Sequence, residues 1–235
     1  MSVFSYLNKK KNNKGFGLLA LIDPDKKNDL KLDLIISRIN SCPFDAILIG
    51  GSKIQDNLFE KRISYIKSNT SLPLLSFPGS SSQISNQIES ILYLNLISGR
   101  NPKYLIEEQV KGALKINELN IETIPTAYIL LDGGNSTSVN EVSSTKPLKM
   151  DDKNYILSHA LAGQYMGNKF IYFDCGSGAE KTMKIELLNY ISKKVQIPII
   201  VGGGIKTYKH VKEYSSNGSS FIVIGNALEE DSFEF

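Results

Sequence analysis

Asp174 closes the run Lys169-Phe170-Ile171-Tyr172-Phe173-Asp174 and is followed at once by Cys175-Gly176-Ser177-Gly178. A carboxylate where an apolar run ends is costly if simply buried, so what it meets decides its role. Two further glycine turns stand after later apolar runs: Gly202-Gly203-Gly204 and Gly225-Asn226. Glycines at both turns let backbone N–H groups approach an anion without side-chain obstruction, and a short helix following would aim its positive end at the same spot. Phosphate is the ligand such a pair of turns suits; turn geometry alone is the plainer reading of either one.

Two other positions could meet a cation. Asp23 ends Leu21-Ile22-Asp23, and Pro24 stiffens the turn that presents it. Ser52 follows Gly50-Gly51 at the start of a helix-like stretch. One carboxylate and one hydroxyl are a poor cage by themselves but suit Mg²⁺ when substrate phosphates and water complete its shell. The alternative for each is a helix N-cap. Asp25 and Lys26 read as surface or capping residues. Cys175 has no nucleophile context and reads as a small packing residue, and His159 and His210 lack any metal-ligand spacing. Arg100, in Ser98-Gly99-Arg100-Asn101-Pro102, could face a second anion or cap a rim.

These residues need a scaffold. Short β-rich runs recur at 17–22, 45–50, 72–77, 91–96, 126–131, 169–174, 197–202 and 220–225, and amphipathic stretches lie between them, as at 53–67, 101–116, 151–167 and 180–195. Strands apolar on both faces and joined by helices imply a parallel sheet covered on both sides. Eight such units predict a closed (β/α)₈ TIM barrel, whose phosphate sites fall in the loops after strands seven and eight, where the glycine turns stand. The tracts 76–85 and 132–147 read as βα loops at strand ends.

The 235 residues are filled by one such barrel, with 1–16 as a basic segment before the first strand. A net charge of +3, from 27 basic and 24 acidic residues, is too small to imply a nucleic-acid partner. Two cysteines make neither a disulfide framework nor a metal knuckle, which points to a reducing cytoplasm. No apolar run approaches the roughly 20 residues that span a bilayer. The Lys9-Lys10-Lys11 cluster reads as a solvated basic terminus, with transient contact to an anionic membrane surface as the alternative.

Taken together, LALIDPDK, AILIGGS, SFPGS, YLNLISGRNPKYLI, IPTAYILLDGGNSTSV, YFDCGSGA, IIVGGGI and VIGNALE resemble the geranylgeranylglyceryl phosphate synthase family, which includes heptaprenylglyceryl phosphate synthases. The likeness runs in order over roughly residues 17 to 229. It implies a TIM-barrel prenyltransferase that joins sn-glycerol 1-phosphate to a long prenyl diphosphate, geranylgeranyl diphosphate above all, through an ether bond, with Mg²⁺ and release of diphosphate. By motif, Asp23 and Ser52 would hold Mg²⁺. The stretch Tyr172, Phe173, Asp174, Cys175, Gly176, Ser177 and Gly178 would hold the glycerol phosphate, with Gly203, Gly204, Gly225 and Asn226. Tyr172 and Asp174 would be catalytic. The resemblance also implies a homo-oligomer, a dimer or a hexamer.

One departure stands out. The family's Tyr-Leu-Glu is Tyr172-Phe173-Asp174 here, so the acid that binds the attacking hydroxyl is shorter by one C–C bond, about 1.5 Å. Misplacement by about 1 Å can cost on the order of 10²-fold in rate. Two other readings remain: a phosphate-binding barrel of amino-acid biosynthesis, an isomerase or synthase, and a non-catalytic phosphate binder that kept the cradle and lost the chemistry.

Overall fold

The computed structural model describes residues 1–234 except Ser52, Lys53 and Gln55. Among the described residues, eight strands close a parallel barrel in sequence order: β1 (Gly17–Ile22), β2 (Ala46–Ile49), β3 (Leu74–Ser76), β4 (Ser90–Asn95), β5 (Glu122–Leu130), β6 (Phe170–Asp174), β7 (Ile199–Gly202) and β8 (Phe221–Ile224). β8 returns to pair with β1 through Leu19 opposite Val223. Each strand falls on one of the expected apolar runs, and the TIM barrel is the observed fold.

Side-chain alternation divides the core in two. Leu19, Leu48, Leu75, Leu92, Tyr128, Tyr172, Ile200 and Val223 pack together inside the barrel. Their neighbours Leu18, Ala20, Ile47, Ile129, Phe173, Val201 and Ile222 pack outward against the helices. With a strand period of two, residues 19, 21 and 23, like 170, 172 and 174, take the inward set. Asp23 and Asp174 therefore emerge at the same end of the barrel.

The outer layer includes α1 (Val3–Lys14), α2 (Leu32–Ser41), α3 (Phe59–Ser68), α4 (Glu108–Glu118), α5 (Ser138–Ser143), α6 (Lys153–Tyr165), α7 (Ile185–Ser192), α8 (Tyr208–Ser216) and the short α9 (Asn226–Glu229). Of the expected stretch at 53–67, Lys53 and Gln55 lie outside the described residues and the helix runs from Phe59, while the one at 101–116 opens with a wide π turn at Lys103–Glu107. No helix among the described residues is long and apolar enough to cross a membrane.

The N-terminal segment keeps Lys9, Lys10 and Lys11 exposed or half-buried, but it is more than a basic terminus. It is a helix closing the floor of the barrel. Leu7 is buried among the interior residues, and Phe4 rests on Phe170 with ring centroids 5.3 Å apart. The Glu122 carboxylate accepts from the N–H groups of Val3 (2.5 Å) and Phe4 (3.3 Å), where an anion complements the first turn's free donors. At the other end Lys14 pairs with buried Asp45 at 2.5 Å, and Asp45 also accepts from Leu18 N–H. The four residues Val3, Phe4, Tyr6 and Leu7 carry this docking, but their face is narrow and the lysines that follow it at 9, 10, 11 and 14 mask it in sequence.

Candidate active site

A cavity of about 550 Å³ opens at the C-terminal end of the strands. One part is polar. Asp23 stands on its wall from the end of β1, with Tyr172 and Asp174 from β6. Gly176, Ser177 and Gly178 follow on the β6 loop, Gly203 and Gly204 on the β7 loop, and Gly225 and Asn226 on the β8 loop. The motifs singled out in sequence thus meet around one space.

The three glycine turns interlock. Asn226 Oδ1 accepts from the Ser177 hydroxyl (2.8 Å) and from Gly178 N–H (3.2 Å), which ties the β8 loop to the β6 loop. Gly203 has φ of +87°, a left-handed conformation that glycine adopts without strain. A Cβ there would lie 2.8 Å from the backbone nitrogens of Cys175 and Gly176 and 2.9 Å from Asp174 Oδ1. The β7 turn can approach the β6 turn this closely because residue 203 has no side chain.

Asp174 is held on both oxygens. Oδ1 accepts from Gly176 N–H at 2.8 Å, and Oδ2 accepts from the Tyr128 hydroxyl at 2.5 Å. Burial pushes its carboxyl above the usual carboxylate value, while the Tyr128 and Gly176 hydrogen bonds pull it back down. Burial, then the Asp174 charge, keeps the phenols of Tyr128 and Tyr172 protonated well above the ordinary range for tyrosine. Tyr172 stacks on Phe77 (5.2 Å between centroids) and meets Tyr128 edge-on (5.4 Å), so its ring is fixed from two sides.

Asp23 sits in a charged cluster. Its Oδ2 pairs with Lys27 Nζ at 3.0 Å, and Lys27 also reaches Glu229 Oε2 at 3.3 Å. Glu229 Oε1 accepts from Asp23 N–H and from Asn28 Nδ2. Burial raises the Asp23 carboxyl, opposed by Lys27. Its Oδ1 is buried with no hydrogen-bond partner among the described residues and lies across Gly51, where a Cβ would come within 2.2 Å of it. An orphaned carboxylate oxygen on the cavity wall fits a hard cation that takes most of its ligands from substrate oxygens and water. It does not fit an all-protein cage, since no group of three or more His, Cys, Asp or Glu able to hold a metal occurs among the described residues. Ser52, the other expected ligand, lies outside those residues.

Arg62 braces the loops on this side of the mouth. Buried on α3, it donates to Asp29 Oδ1 (2.6 Å), Asp56 Oδ1 (2.6 Å) and the Pro24 carbonyl (3.2 Å). It thereby fastens the segment after β1 to the one after β2, and its hydrogen bonds hold the Asp56 carboxyl down to about 2.

Phe173 and Cys175 leave the expected binding set. The strand alternation that turns Tyr172 and Asp174 inward turns these two side chains into the outer core, away from the cavity, and burial raises the Cys175 thiol well above its usual value. Only their backbone is near the site. Cys175 is thus the packing residue its context suggests. Arg100 also turns away. It donates to the carbonyls of Ile97 and Gly99 and lies beside His159 of α6, so it caps its own turn. Asp25 caps the short helix that follows it, accepting from Lys26 N–H at 2.7 Å. Conversely, Tyr128, Lys27 and Glu229 were not singled out by sequence. Lys27 and Glu229 stand among other charges, and Tyr128 sits inside an apolar run with nothing to separate it from core.

The second part of the cavity is an apolar arm. It runs from Phe77 past Ile84, Ile91 and Leu94 to Tyr104, Gly112 and Ile116, between the β3 loop and α4. The β3 and β5 loops expected to carry function both line the cavity, the latter through Val139 and Val142 of α5.

A polar pocket ringed by glycine turns at the strand ends of a (β/α)₈ barrel, continuous with an apolar arm, is the site of a barrel enzyme suited to a phosphorylated group at one end and an apolar group at the other. The profile of the PcrB family matches residues 9–235, and the chain belongs to that family. A geranylgeranylglyceryl phosphate synthase of Flavobacterium johnsoniae is 45% identical over 230 residues, covering 97% of this chain and 94% of its own length. One from Pyrococcus abyssi is 33% identical, over 89% of this chain and 83% of its own. The crystal structure of (S)-3-O-geranylgeranylglyceryl phosphate synthase from Thermoplasma acidophilum with its substrate sn-glycerol-1-phosphate superposes with a TM-score of 0.89 at 32% identity, covering 97% and 92% of the two chains.

Proposed function

We propose that this protein is a prenyltransferase that forms the ether bond between the C3 hydroxyl of sn-glycerol 1-phosphate and C1 of geranylgeranyl diphosphate. The observation that carries the reading is one cavity joining a glycine-lined polar end to an apolar arm, with an inward carboxylate, Asp174, on its wall. Backbone amides around Gly203, Gly204 and Gly225 anchor the phosphate, and Asn226 keeps the β6 and β8 loops in register. Anchoring at that end aims the free hydroxyl at the barrel centre, where Asp174 is the base that ends with its proton. Tyr172 walls the reacting centre.

Asp23 and Ser52 would hold Mg²⁺ together with the diphosphate, and the ion would neutralise the charge that grows on the leaving group. EDTA is therefore expected to abolish product formation, with recovery on adding Mg²⁺; turnover that survives chelation would remove the metal from this account. A phosphate-binding barrel of the amino-acid pathways has no need of the apolar arm, nor does a simple phosphate binder. The chain is proposed to act in the cytoplasm, as a homo-oligomer, drawing its donor from the membrane surface.

The arm's length sets the donor. Gly112 faces it from α4, and a Cβ there would come within 2.9 Å of Ile84 Cδ1. Gly112→Phe is expected to block the arm, lowering kcat/KM for geranylgeranyl diphosphate by about 10²-fold while sparing shorter donors, since several buried CH₂ groups are lost at about 0.8 kcal/mol each. A donor series assayed with both proteins checks this; an equal effect on every length would place the chain elsewhere.

A further inference from the structure

Each oxygen of Asp174 already accepts one hydrogen bond. Oδ1 is taken by Gly176 N–H and Oδ2 by the Tyr128 hydroxyl, so the carboxylate is drawn toward β5 and the β6 turn. Tyr128 lies in register with Tyr172 across the β5–β6 pair, two residues before Leu130, which is opposite Asp174. Its ring is pinned by Phe77 and Tyr172, with centroids at 5.9 and 5.4 Å, so the hydroxyl has one direction to point. Tyr128 also lines the cavity, and among the described residues no group donates to its oxygen. A phenol that gives its hydrogen to a buried carboxylate and keeps an unengaged lone pair in a substrate cavity is placed to receive a proton and pass one on.

We infer that Tyr128 is a proton relay between the attacking hydroxyl and Asp174. As the C3 oxygen bonds to C1 of the prenyl group, the C1–O bond to diphosphate breaks and the diphosphate leaves with the electron pair. The hydroxyl proton passes to Tyr128 Oη while the tyrosine's own proton passes to Asp174 Oδ2. The phenol is neutral before and after, and the carboxyl ends protonated, to be returned to its ionised form by water. Charge never rests on the phenol, which suits a buried tyrosine whose ionisation burial opposes. The relay lengthens the reach of a carboxylate too short to meet the hydroxyl directly.

The inference rests on the prenyl-transfer reading, and its test separates the two. Single-turnover rates with sn-glycerol 1-phosphate and geranylgeranyl diphosphate are measured for the unaltered enzyme, Tyr128→Phe, Asp174→Glu and the double variant, in mixtures of H₂O and D₂O. Glycerol 1-phosphate affinity is followed by calorimetry as a check on folding. Tyr128→Phe is expected to slow the chemical step by about 10²-fold, the low end for acid–base groups, with affinity unchanged. In the Asp174→Glu background, where the longer carboxylate reaches the hydroxyl itself, the same substitution is expected to cost less than about tenfold. The rate should depend on D₂O fraction along a curve in the unaltered enzyme, as two moving protons require, and along a straight line in the double variant. Equal losses in both backgrounds, or a straight line in the unaltered enzyme, would overturn the relay and leave Tyr128 a prop for Asp174. Absence of ether product from the unaltered enzyme would overturn the prenyl-transfer reading instead.

Discussion

Asp174→Asn is expected to lower the rate of ether formation by about 10²- to 10⁴-fold, the range general-base groups supply, with glycerol phosphate still bound. The amide keeps the size of the side chain and can still accept from Gly176 N–H, but it cannot take a proton. The pH dependence follows from the same group. Asp174 works ionised, and burial has raised its carboxyl above the ordinary value, so turnover should fall as pH drops through that raised value. The Asn variant should lack this limb. Asp174→Glu should retain or raise the rate, because it restores reach without changing chemistry. Pre-steady-state product formation across pH measures all three, and full turnover by the Asn protein would end the acid–base role.

Gly203→Ala should damage the phosphate end. The methyl would meet the Cys175 and Gly176 nitrogens at 2.8 Å and Asp174 Oδ1 at 2.9 Å, all backbone or firmly held groups. The left-handed backbone adds about 1–2 kcal/mol for any residue with a Cβ. The amides must move by several tenths of an ångström, and we expect kcat/KM for glycerol 1-phosphate to fall by about 10²-fold. Gly167→Ala is the control. Gly167 has the same φ of +87° with no atom within 4 Å of a built Cβ, and it lies after α6, away from the cavity. It should lose stability in thermal unfolding and keep its kcat/KM; equal kinetic losses in the two variants would show that backbone strain, and not the cradle, sets the effect.

The barrel was legible because each strand must be apolar on both faces, and eight such runs at helix-sized spacing leave few alternatives. The glycine turns were legible because their position after strands seven and eight is tied to the fold itself. Side-chain direction was not. The motif 172–178 reads as one block in sequence, yet the period of two sends Phe173 and Cys175 outward and brings only Tyr172 and Asp174 to the cavity. Tyr128 escaped for the related reason that an interior tyrosine at the mouth and one in the core look alike until its hydroxyl is seen on Asp174. The floor helix was hidden by its lysines, since Val3, Phe4, Tyr6 and Leu7 give too short an apolar face to stand out.

The account's central claim is ether formation at the junction of cradle and arm. The direct test is incubation of the purified protein with radiolabelled sn-glycerol 1-phosphate, geranylgeranyl diphosphate and Mg²⁺, with the 3-phosphate enantiomer as the parallel substrate. An organic-soluble product carrying label in an ether at C3, formed one-for-one with diphosphate from the 1-phosphate and not from its enantiomer, is the predicted result. Bound glycerol 1-phosphate with neither diphosphate release nor labelled lipid, for any prenyl length, would contradict it.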